Sequence, residues 1–375
     1  MRAAARAFAA AGIDSAAVEA RLLMSYALAA AAGPGEPAAA GPGEGTVPVG
    51  RGAPAAPLVP VGMSDVVLRG DDPVPGCWGD WVARRVGREP LQHIVGSAPF
   101  CGVDLAVGPG VFVPRPETEL LVAWAVERVA ALLRDGRRPV RVLDLCSGPG
   151  TIALGLAHLL GDVVSATGGG VGGVGRDVVD AAGADRGAGA DRGAGRDGAT
   201  TAPAVEITGL ELSATAVRLA EASHAALRER ALVPAGVTVS FTRADLRERG
   251  VVPGLGLAGT ADVVLSNPPY VPSGTPVSPE VRADPPEAVF AGADGMAFLP
   301  TLLDAALTAA APGAWIAVEH DDATGPRTAA ALAEAGVEGV RGHTDLAGRD
   351  RFVTGRVGTG ARGARVNRDR RETSP

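Results

Sequence analysis

The chemistry of this chain is indicated first by Asn267, which follows the apolar run 261–265 and precedes Pro268, Pro269 and Tyr270. Each proline lacks an N–H group, fixes its own φ angle and keeps the preceding residue out of the helical region, so the turn is stiff and its carbonyl groups can accept hydrogen bonds. The carboxamide oxygen of Asn267 and the carbonyl oxygen of Pro268 can each accept one hydrogen of a planar NH2 group, which directs the nitrogen lone pair toward an electrophilic methyl group. Tyr270 can pack against such a flat substrate. The pattern predicts methyl transfer to an amide or amino nitrogen, although Asn and Pro also form ordinary turns at strand ends.

A second group of candidate residues follows the apolar stretch that contains Asp144. The turn after this predicted strand consists of Cys146, Ser147, Gly148, Pro149 and Gly150, and a helical pattern follows at 152–160. Glycines in such a turn let backbone N–H groups approach a ligand closely, and the N-terminus of the next helix favours a carboxylate or phosphate. Glu211 ends the next apolar strand, where an acidic side chain can hold the two hydroxyl groups of a ribose. Loop and carboxylate together predict a nucleotide-type cofactor site, whereas a glycine turn alone often serves packing.

Two stretches of low complexity interrupt the chain. The first, 33–60, is rich in Ala, Gly and Pro, and the second, 161–203, repeats Gly-Ala-Asp-Arg-Gly-Ala at 183–188 and 189–194. The second stretch explains why Glu211 lies farther from the glycine turn than the usual separation of about 20 residues. Neither stretch has enough large apolar side chains to offset the entropy of ordering, so both are predicted to be disordered loops. The arginine-rich tail, 358–375, is predicted to be disordered as well.

Composition excludes several classes of site. The chain has 375 residues, 46% hydrophobic content and no lysine, so it can bury a full core but cannot use a Schiff-base lysine or a Walker A lysine. Its three cysteines and five histidines are scattered without ligand spacing, so we expect neither disulfides nor a metal site, and a reducing cytoplasm fits. Segment 1–32 is alanine-rich with charged residues inside its apolar pattern, which predicts helix and not a signal peptide or membrane span.

Apolar runs and helical patterns alternate through most of the chain. Predicted strands lie near 139–145, 205–211, 236–242, 261–266, 313–319 and 350–356, with helices between them. This alternation predicts an α/β fold with a Rossmann-like, doubly wound sheet. Upstream, 100–107 and 111–113 are predicted to form a β-hairpin whose turn is the Gly-Pro-Gly sequence at 108–110. Because such sheets bind ligands at the carboxyl ends of their strands, Asp144, Glu211 and Asn267 should converge at one edge.

Three further strings carry a family resemblance. They are Arg-Glu-Pro-Leu-Gln-His-Ile-Val-Gly at 88–96, Pro-Arg-Pro-Glu-Thr-Glu at 114–119 and Asp-Leu-Ala-Gly-Arg-Asp-Arg at 345–351. With these strings and the two sites above, residues 76–356 resemble the bacterial protein-(glutamine-N5) methyltransferases that modify peptide chain release factors, the PrmC/HemK family. The string at 114–119 is the most discriminating, because Asn-Pro-Pro-Tyr is shared with adenine-specific DNA methyltransferases.

The resemblance implies a class I S-adenosylmethionine-dependent methyltransferase fold. It also implies transfer of the methyl group of S-adenosyl-L-methionine to the side-chain amide nitrogen, N5, of the glutamine in the Gly-Gly-Gln motif of class I release factors. The implied cofactor-binding residues are Asp144, Cys146, Ser147, Gly148, Pro149, Gly150, Glu211, Asp245, Leu246 and Asn267. The implied substrate-binding residues are Asn267, Pro268, Pro269, Tyr270, Arg115 and Glu117, with Asn267, Pro268 and Tyr270 catalytic. The family usually has glycine at position 146, so Cys146 is interpreted as a small residue in a glycine-like position.

The same resemblance implies how the chain is divided. We expect a helical substrate-recognition domain at 1–95, a β-hairpin linker at 96–118 and a methyltransferase domain at 119–357. Class I release factors are the expected partners, and we expect a cytoplasmic monomer without a stable nucleic-acid complex or membrane attachment. Glu117 and Glu119 are candidates either for accepting a proton or for pairing with Arg115, and the sequence leaves this open.

Two other functions also remain open at this point. A nucleic-acid adenine amino-methyltransferase would use Asn-Pro-Pro-Tyr as well, but it would normally present a basic surface, whereas this chain has a net charge of −7. A non-catalytic adaptor that binds the translation machinery would tolerate Cys146 and the long insertions. Fold alone separates none of these functions.

Overall fold

The computed structural model describes residues 1–32, 56–69, 73–168 and 203–359. Its α-helices are α1 (Arg2–Ala10), α2 (Ala16–Ala32), α3 (Met63–Leu68), α4 (Trp78–Val86), α5 (Leu91–Val95), α6 (Glu119–Arg134), α7 (Thr151–Gly168), α8 (Ala214–Glu229), α9 (Val251–Gly254), α10 (Pro286–Val289), α11 (Leu299–Ala309) and α12 (Gly325–Glu334). Its strands are β1 (Ser97–Phe100), β2 (Val103–Ala106), β3 (Val140–Leu145), β4 (Val205–Glu211), β5 (Val237–Arg243), β6 (Ala261–Ser266), β7 (Ala310–Glu319), β8 (Val337–Thr344) and β9 (Asp350–Val357). Most of the residues predicted to be disordered lie outside the described ranges. Within those ranges, none of the helices is both long and apolar enough to span a bilayer.

The N-terminal helices enclose a small core of their own. Helices α1, α2, α4 and α5 pack together around Phe8, Leu23 and Tyr26, which are almost completely buried. Alanine occupies many of the remaining inward positions of α1 and α2, and it favours helix while taking little space. Arg85 of α4 is also buried, although it is charged, and such a side chain needs ionic partners.

Strands β1 and β2 form the hairpin that follows these helices. Phe100 pairs with Val103 across a turn made by Cys101 and Gly102. Their φ angles of 49° and 78° are both positive, as a two-residue type I′ turn requires. The prediction that Gly-Pro-Gly at 108–110 closes the hairpin is therefore wrong: this sequence does form a turn, with the N–H of Val111 donating to the carbonyl of Gly108 at 3.1 Å, but it lies in the loop after β2. Gly-Pro-Gly is the stronger local signal, but strand pairing forces the turn onto a cysteine, a residue that seldom takes a positive φ.

The other strands form one sheet in the order β5-β4-β3-β6-β7-β9-β8. Strands β3 to β7 are parallel to one another, and β9 is antiparallel to both β7 and β8. The order reverses between β3 and β6, which is the switch point where a doubly wound sheet opens a crevice for ligands. The doubly wound α/β fold of a class I methyltransferase is therefore confirmed.

Helices cover both faces of this sheet, which explains why its strands are nearly continuous apolar runs. Strand β6 is buried along its whole length. On β3, Val142 belongs to the core beneath α6 and α7, whereas its neighbour Leu143 belongs to the core beneath α11. Successive side chains of a strand point to opposite faces, so one apolar strand serves both cores. The strand ends are consequently held in a rigid frame.

Two elements differ from the sequence-based expectation. Strand β8 was not predicted, because most of its side chains are exposed and Gly339 and Gly342 interrupt any apolar alternation. Helix α7 continues to Gly168, beyond the predicted end at residue 160, so the prediction of disorder is wrong for 161–168. Val163 and Val164 extend its apolar side against the core, and this burial stabilises the additional turns.

Candidate functional site

The ends of four neighbouring strands meet at one edge of the sheet. Strand β3 ends just before Cys146, β4 ends at Glu211, β6 is followed by Asn267, and β7 ends at Glu319. This is the edge at which open α/β sheets bind ligands. A cavity of about 750 Å³ opens there, within the range of about 300–1,000 Å³ that ligand pockets occupy.

The cavity brings together nearly all of the predicted site residues. Those that line it are Arg115, Glu117, Cys146, Ser147, Gly148, Pro149, Glu211, Asp245, Leu246, Asn267, Pro268, Pro269 and Tyr270. Asp144 and Gly150 were predicted to contact the cofactor as well, but both are buried and neither belongs to the cavity wall. In the part of the chain that the structure describes, no group of three or more His, Cys, Asp and Glu side chains is arranged to hold a metal ion.

Asp144 lies inside the protein, next to the turn at 146–150, which we call the glycine loop. It is completely buried, and its Oδ2 atom accepts a hydrogen bond of 3.1 Å from the backbone N–H of Ala153 in the first turn of α7. Burial raises the pKa of Asp144 well above its ordinary value and nearby Glu211 adds to this, while the hydrogen bond from Ala153 opposes it. Asp144 therefore acts on the site by connecting the end of β3 to the start of α7.

The glycine loop is shaped by residues with positive φ angles, namely Cys146 at 61°, Gly148 at 55° and Gly150 at 82°. A residue with a side chain loses about 1–2 kcal/mol in this conformation, which glycine adopts without that loss. At Gly150, an added Cβ would lie 2.8 Å from Cζ of Phe241, so a side chain cannot be accommodated without displacement. Burial raises the pKa of the Cys146 thiol, so this cysteine is not a thiolate nucleophile.

Glu211 joins the glycine loop to the end of β4. Its Oε2 atom accepts the backbone N–H of Gly148 at 2.9 Å, and its Oε1 atom accepts the backbone N–H of Ser213 at 2.7 Å. Burial raises the pKa of Glu211, and these backbone hydrogen bonds oppose the rise. Each carboxylate oxygen has two lone pairs, so Glu211 can hold the loop and still accept hydroxyl groups of a ligand from the cavity.

Asp245 and Leu246 follow β5 and form the far wall of the cavity. Arg247 holds Asp245 with two hydrogen bonds of 2.8 Å, from Nε to Oδ1 and from Nη2 to Oδ2. The hydrogen bonding from Arg247 lowers the pKa of Asp245, so its carboxylate is ionised at neutral pH. Leu246 packs against the core between the sheet and α11. The wall therefore offers an acceptor beside an apolar surface.

Asn267 and Tyr270 are both tied to buried polar groups behind the cavity. The Nδ2 atom of Asn267 donates to Oγ1 of Thr118 at 3.0 Å, and the hydroxyl group of Tyr270 donates to Oε1 of Glu319 at 3.2 Å. Pro268, between them, is buried. The bond from Nδ2 to Thr118 sets the orientation of the carboxamide, and its oxygen is the atom that can accept a hydrogen from a substrate NH2 group.

Thr118 and Glu319 were not among the predicted site residues. Glu319 is 2% exposed, and burial raises its pKa to about 7 although hydrogen bonds from Thr118 and Tyr270 lower it. A signal for Glu319 was present in the sequence, because it ends the predicted strand 313–319 as Glu211 ends 205–211. Thr118 lies within the string 114–119, but its spacing alone does not distinguish it from its neighbours.

The pairing of Arg115, which the sequence left open, is with Asp284. The Nη2 atom of Arg115 lies 2.5 Å from Oδ2 of Asp284, and its guanidinium group lies over the ring of Phe112 at 4.9 Å. Burial raises the pKa of Asp284 to about 6, although Arg115 lowers it. Glu119 accepts the backbone N–H of Cys101 at 2.8 Å and so supports the hairpin. Of the two candidate proton acceptors, Glu117 is the one on the cavity wall.

A cluster of ion pairs connects the N-terminal helices to the segment after Tyr270, which forms one wall of the cavity. Glu280 of this segment is bound by Nη1 of Arg85 at 2.8 Å and by Nε of Arg88 at 2.7 Å. Arg85 also binds Glu19 on α2 at 2.5 Å. We call Glu19, Arg85, Arg88 and Glu280 the interdomain cluster. It fixes the small helical core beside the part of the cavity wall that Val277 and Val281 form.

Curated proteins with related sequences span most of the chain. It is 35% identical over 303 residues to the release factor glutamine methyltransferase of Corynebacterium glutamicum, covering 80% of this chain and 88% of that protein. It is also 35% identical over 289 residues to the protein of the same name from Mycolicibacterium smegmatis, covering 76% and 82%. A 4-amino-L-phenylalanine/4-methylamino-L-phenylalanine methyltransferase of Streptomyces pristinaespiralis is 33% identical over 261 residues, covering 69% and 70%.

Other comparisons add less. No model of a protein family matches the sequence. Among solved structures, a SAM-dependent methyltransferase from Agrobacterium tumefaciens aligns at 14% identity over 70% of each chain, with a TM-score of 0.38. The fold is defined by the strand order and pairing of the sheet.

Proposed function

Because the chain belongs to the release factor glutamine methyltransferases, we propose that it methylates N5 of the glutamine in the Gly-Gly-Gln motif of class I release factors. It is a methyltransferase whose co-substrate is S-adenosyl-L-methionine. The family membership supports glutamine methylation of release factors in general. The acceptor oxygens of the site support the side-chain NH2 group, and hence N5, as the atom that is methylated.

The observation that carries the proposal is the arrangement of Asn267 and Pro268 at the switch point of the sheet. The carboxamide of Asn267 is held through Nδ2 by Thr118 at 3.0 Å, and its oxygen remains for a donor in the cavity. A glutamine side chain ends in a planar NH2 group with two hydrogens. The oxygen of Asn267 and the carbonyl oxygen of Pro268 are suited to accept one each, and Tyr270 can pack against the amide plane.

The residues of the cavity fit S-adenosyl-L-methionine. Glu211 offers carboxylate oxygens for ribose hydroxyl groups, as acidic residues at this strand end do in related folds. Ser147 lines the cavity, and its Oγ atom is buried without a hydrogen-bond partner among the described residues, so a ligand can supply the missing contact. The N-terminus of α7 favours the carboxylate of the amino-acid part. Asp245 and Leu246 can border the adenine.

Methyl transfer then depends mainly on orientation. The bound co-substrate supplies an electrophilic sulfonium methyl group. Asn267 and Pro268 hold the amide nitrogen so that its lone pair faces that group, and aligning two reactants can contribute about 7–11 kcal/mol in favourable cases. A single hydrogen bond contributes only about 1 kcal/mol. Once methylated, the nitrogen carries a positive charge and loses a proton readily, so Glu117 or water suffices as acceptor.

The N-terminal helices are proposed to recognise the release factor outside the Gly-Gly-Gln motif. They have their own core, and the interdomain cluster attaches them to the segment that forms one wall of the cavity. A release factor bound there could insert its glutamine without rearranging the sheet. We further propose that the protein acts as a monomer in the cytoplasm, where translation termination takes place.

The proposal is tested by incubating the purified protein with S-adenosylmethionine carrying an isotope-labelled methyl group and a class I release factor. A matched release factor with Gly-Gly-Ala in place of Gly-Gly-Gln is the control, and mass spectrometry locates the methyl group. We expect labelling of the parent only, on the glutamine side chain. Labelling of both proteins, or of another residue, would contradict the assignment.

Two competing substrates belong in the same experiment. Adenine-containing DNA and RNA test the nucleic-acid alternative, which the net charge of −7 disfavours. 4-Amino-L-phenylalanine tests a small aromatic amine, the substrate named for the Streptomyces pristinaespiralis relative. Faster transfer to either one than to the release factor would replace the proposed function.

A further inference from the structure

Glu319 is a buried carboxyl group next to Tyr270. It has no role in the methyl transfer proposed above. Ser266 of β6 pairs with Val318 of β7, so Glu319 lies level with Asn267 on the adjacent strand. Its side chain does not line the cavity and is 2% exposed. A carboxyl group buried to this degree must be neutral or fully hydrogen-bonded.

The hydrogen bonds of Glu319 have a defined direction when it is ionised. A carboxylate only accepts, so both Tyr270 and Thr118 must donate to it. The Tyr270 hydroxyl group does so at 3.2 Å, and the Thr118 side chain acts on Glu319 as a hydrogen-bond donor that lowers the pKa of the carboxyl group. A hydroxyl group has one hydrogen. Thr118 therefore has only lone pairs left for Asn267, and the Nδ2 atom of Asn267 donates to it at 3.0 Å.

We propose that Glu319 is a positioning residue, which through the Thr118 hydroxyl group determines which end of the Asn267 carboxamide faces the substrate. This rests on the proposed function, in which the carboxamide oxygen receives the substrate NH2 group. In the opposite orientation Asn267 would present its own NH2 group, and two donors would face each other. The same carboxylate accepts the hydroxyl hydrogen of Tyr270. One buried group therefore orients both Asn267 and Tyr270.

Protonation of Glu319 would reverse this chain of hydrogen bonds. A neutral carboxyl group can donate to Thr118, whose hydrogen is then released toward Asn267, and the orientation with the carboxamide oxygen toward Thr118 becomes favourable. The charged groups around Glu319 shift its pKa in opposite directions. Glu117, beside Thr118, raises its pKa, and Arg351 on β9 lowers it. Burial is the largest influence and brings the pKa to about 7, so the reversal falls within an accessible pH range.

Kinetics of Thr118 and Glu319 variants test the inference. Thr118→Val keeps the side-chain shape without the hydroxyl group, and we expect kcat to fall roughly five- to tenfold, the effect of one lost hydrogen bond. KM for S-adenosylmethionine should change little. Thr118→Ser restores the hydroxyl group and should recover most of the loss. Thr328→Val is the matched control, because Thr328 is also buried and bonded through its hydroxyl group, but on α12 away from the cavity.

The pH profile and an NMR signal give readouts that a merely structural role would not change. In the parent protein, kcat should decrease as the pH falls through about 7, and Glu319→Gln should remove this decrease. The side-chain amide resonances of Asn267, observed after 15N-asparagine labelling, should titrate with the same midpoint in the parent and not in Glu319→Gln. An unchanged kcat in Thr118→Val together with an Asn267 signal that does not respond to Glu319→Gln would overturn the inference.

The two proposals can fail separately. If no release factor is methylated, the Asn267 amide resonances still decide whether Glu319 controls the carboxamide. If a release factor is methylated but neither kcat nor these resonances depend on Thr118 and Glu319, only the positioning role is refuted.

Discussion

Replacement of Glu280 should reveal how firmly the interdomain cluster holds the N-terminal helices. Burial acts to raise the pKa of Glu280, but hydrogen bonds from Arg88 and Arg85 outweigh this and bring it to about 2, compared with an ordinary value of 4.5. Each pKa unit corresponds to about 1.36 kcal/mol, so the lowered pKa of Glu280 corresponds to at most about 3 kcal/mol at pH 7, and solvent screening of this half-buried carboxylate reduces the figure. An exposed ion pair contributes only about 0–1 kcal/mol.

We expect Glu280→Gln to lower the free energy of unfolding by about 2–3 kcal/mol at pH 7, because the glutamine oxygen can replace only part of the hydrogen bonding. Urea unfolding followed by tryptophan fluorescence measures this, since Trp78 and Trp81 pack in the N-terminal core. A carboxylate with a lowered pKa stabilises above its unfolded value and loses that contribution as the pH falls. The difference between parent and variant should therefore shrink between about pH 4.5 and pH 2.

The exposed Glu334 on α12 provides the control, because Glu334→Gln makes the same change of charge outside the interdomain cluster. Its effect on unfolding should stay within about 0.5 kcal/mol. A Glu280→Gln effect no larger than that of this control would refute the reasoning. A large effect that is independent of pH would also refute it, because the loss would then come from packing and not from the ion pairs.

Three further predictions concern the cavity. Asn267→Ala should lower kcat at least about 100-fold, because the substrate amide loses its orientation. The dissociation constant for S-adenosylmethionine, measured by calorimetry, should stay within about threefold. Normal turnover would show that Asn267 does not position the substrate. Cys146→Gly should raise the unfolding free energy by about 0.5–1 kcal/mol, because φ of 61° is strained for cysteine and free for glycine; a loss of stability would show that the thiol packing matters more. Since burial raises the pKa of Glu319 from 4.5 to about 7, its contribution to stability is full below pH 4.5 and is lost as the pH rises through 7. Urea unfolding should thus show the parent losing about 3 kcal/mol relative to Glu319→Gln between these values, and parallel pH profiles would contradict this.

The glycine loop and the strand ends were predictable because their signals are local. An apolar run predicts a buried strand, and the residue types that follow it, as at Cys146–Gly150, Glu211 and Asn267, indicate a loop or a polar strand end. A parallel sheet places such ends at one edge without further information. The fold class and most of the cavity wall follow from these two facts.

The hairpin and strand β8 show where local signals are insufficient. Gly-Pro-Gly at 108–110 is a strong turn signal and does form a turn, yet pairing of Phe100 with Val103 places the hairpin turn at Cys101 and Gly102. Strand β8 has almost no apolar periodicity and is defined by its pairing with β9. In both cases inter-strand hydrogen bonds override the preferences of the residues concerned.

The sequence by itself therefore determined the doubly wound sheet and the identity of the residues at its carboxyl edge, since helix and strand periodicity is written in neighbouring residues. Only the tertiary structure decided that Thr118 orients Asn267, that Glu319 lies behind both, and that Arg115 pairs with Asp284. It likewise decided that Glu280 binds Arg85 and Arg88. These partners are far apart along the chain, and a buried polar group takes whichever partner the packed elements bring within hydrogen-bonding distance, which no local pattern specifies.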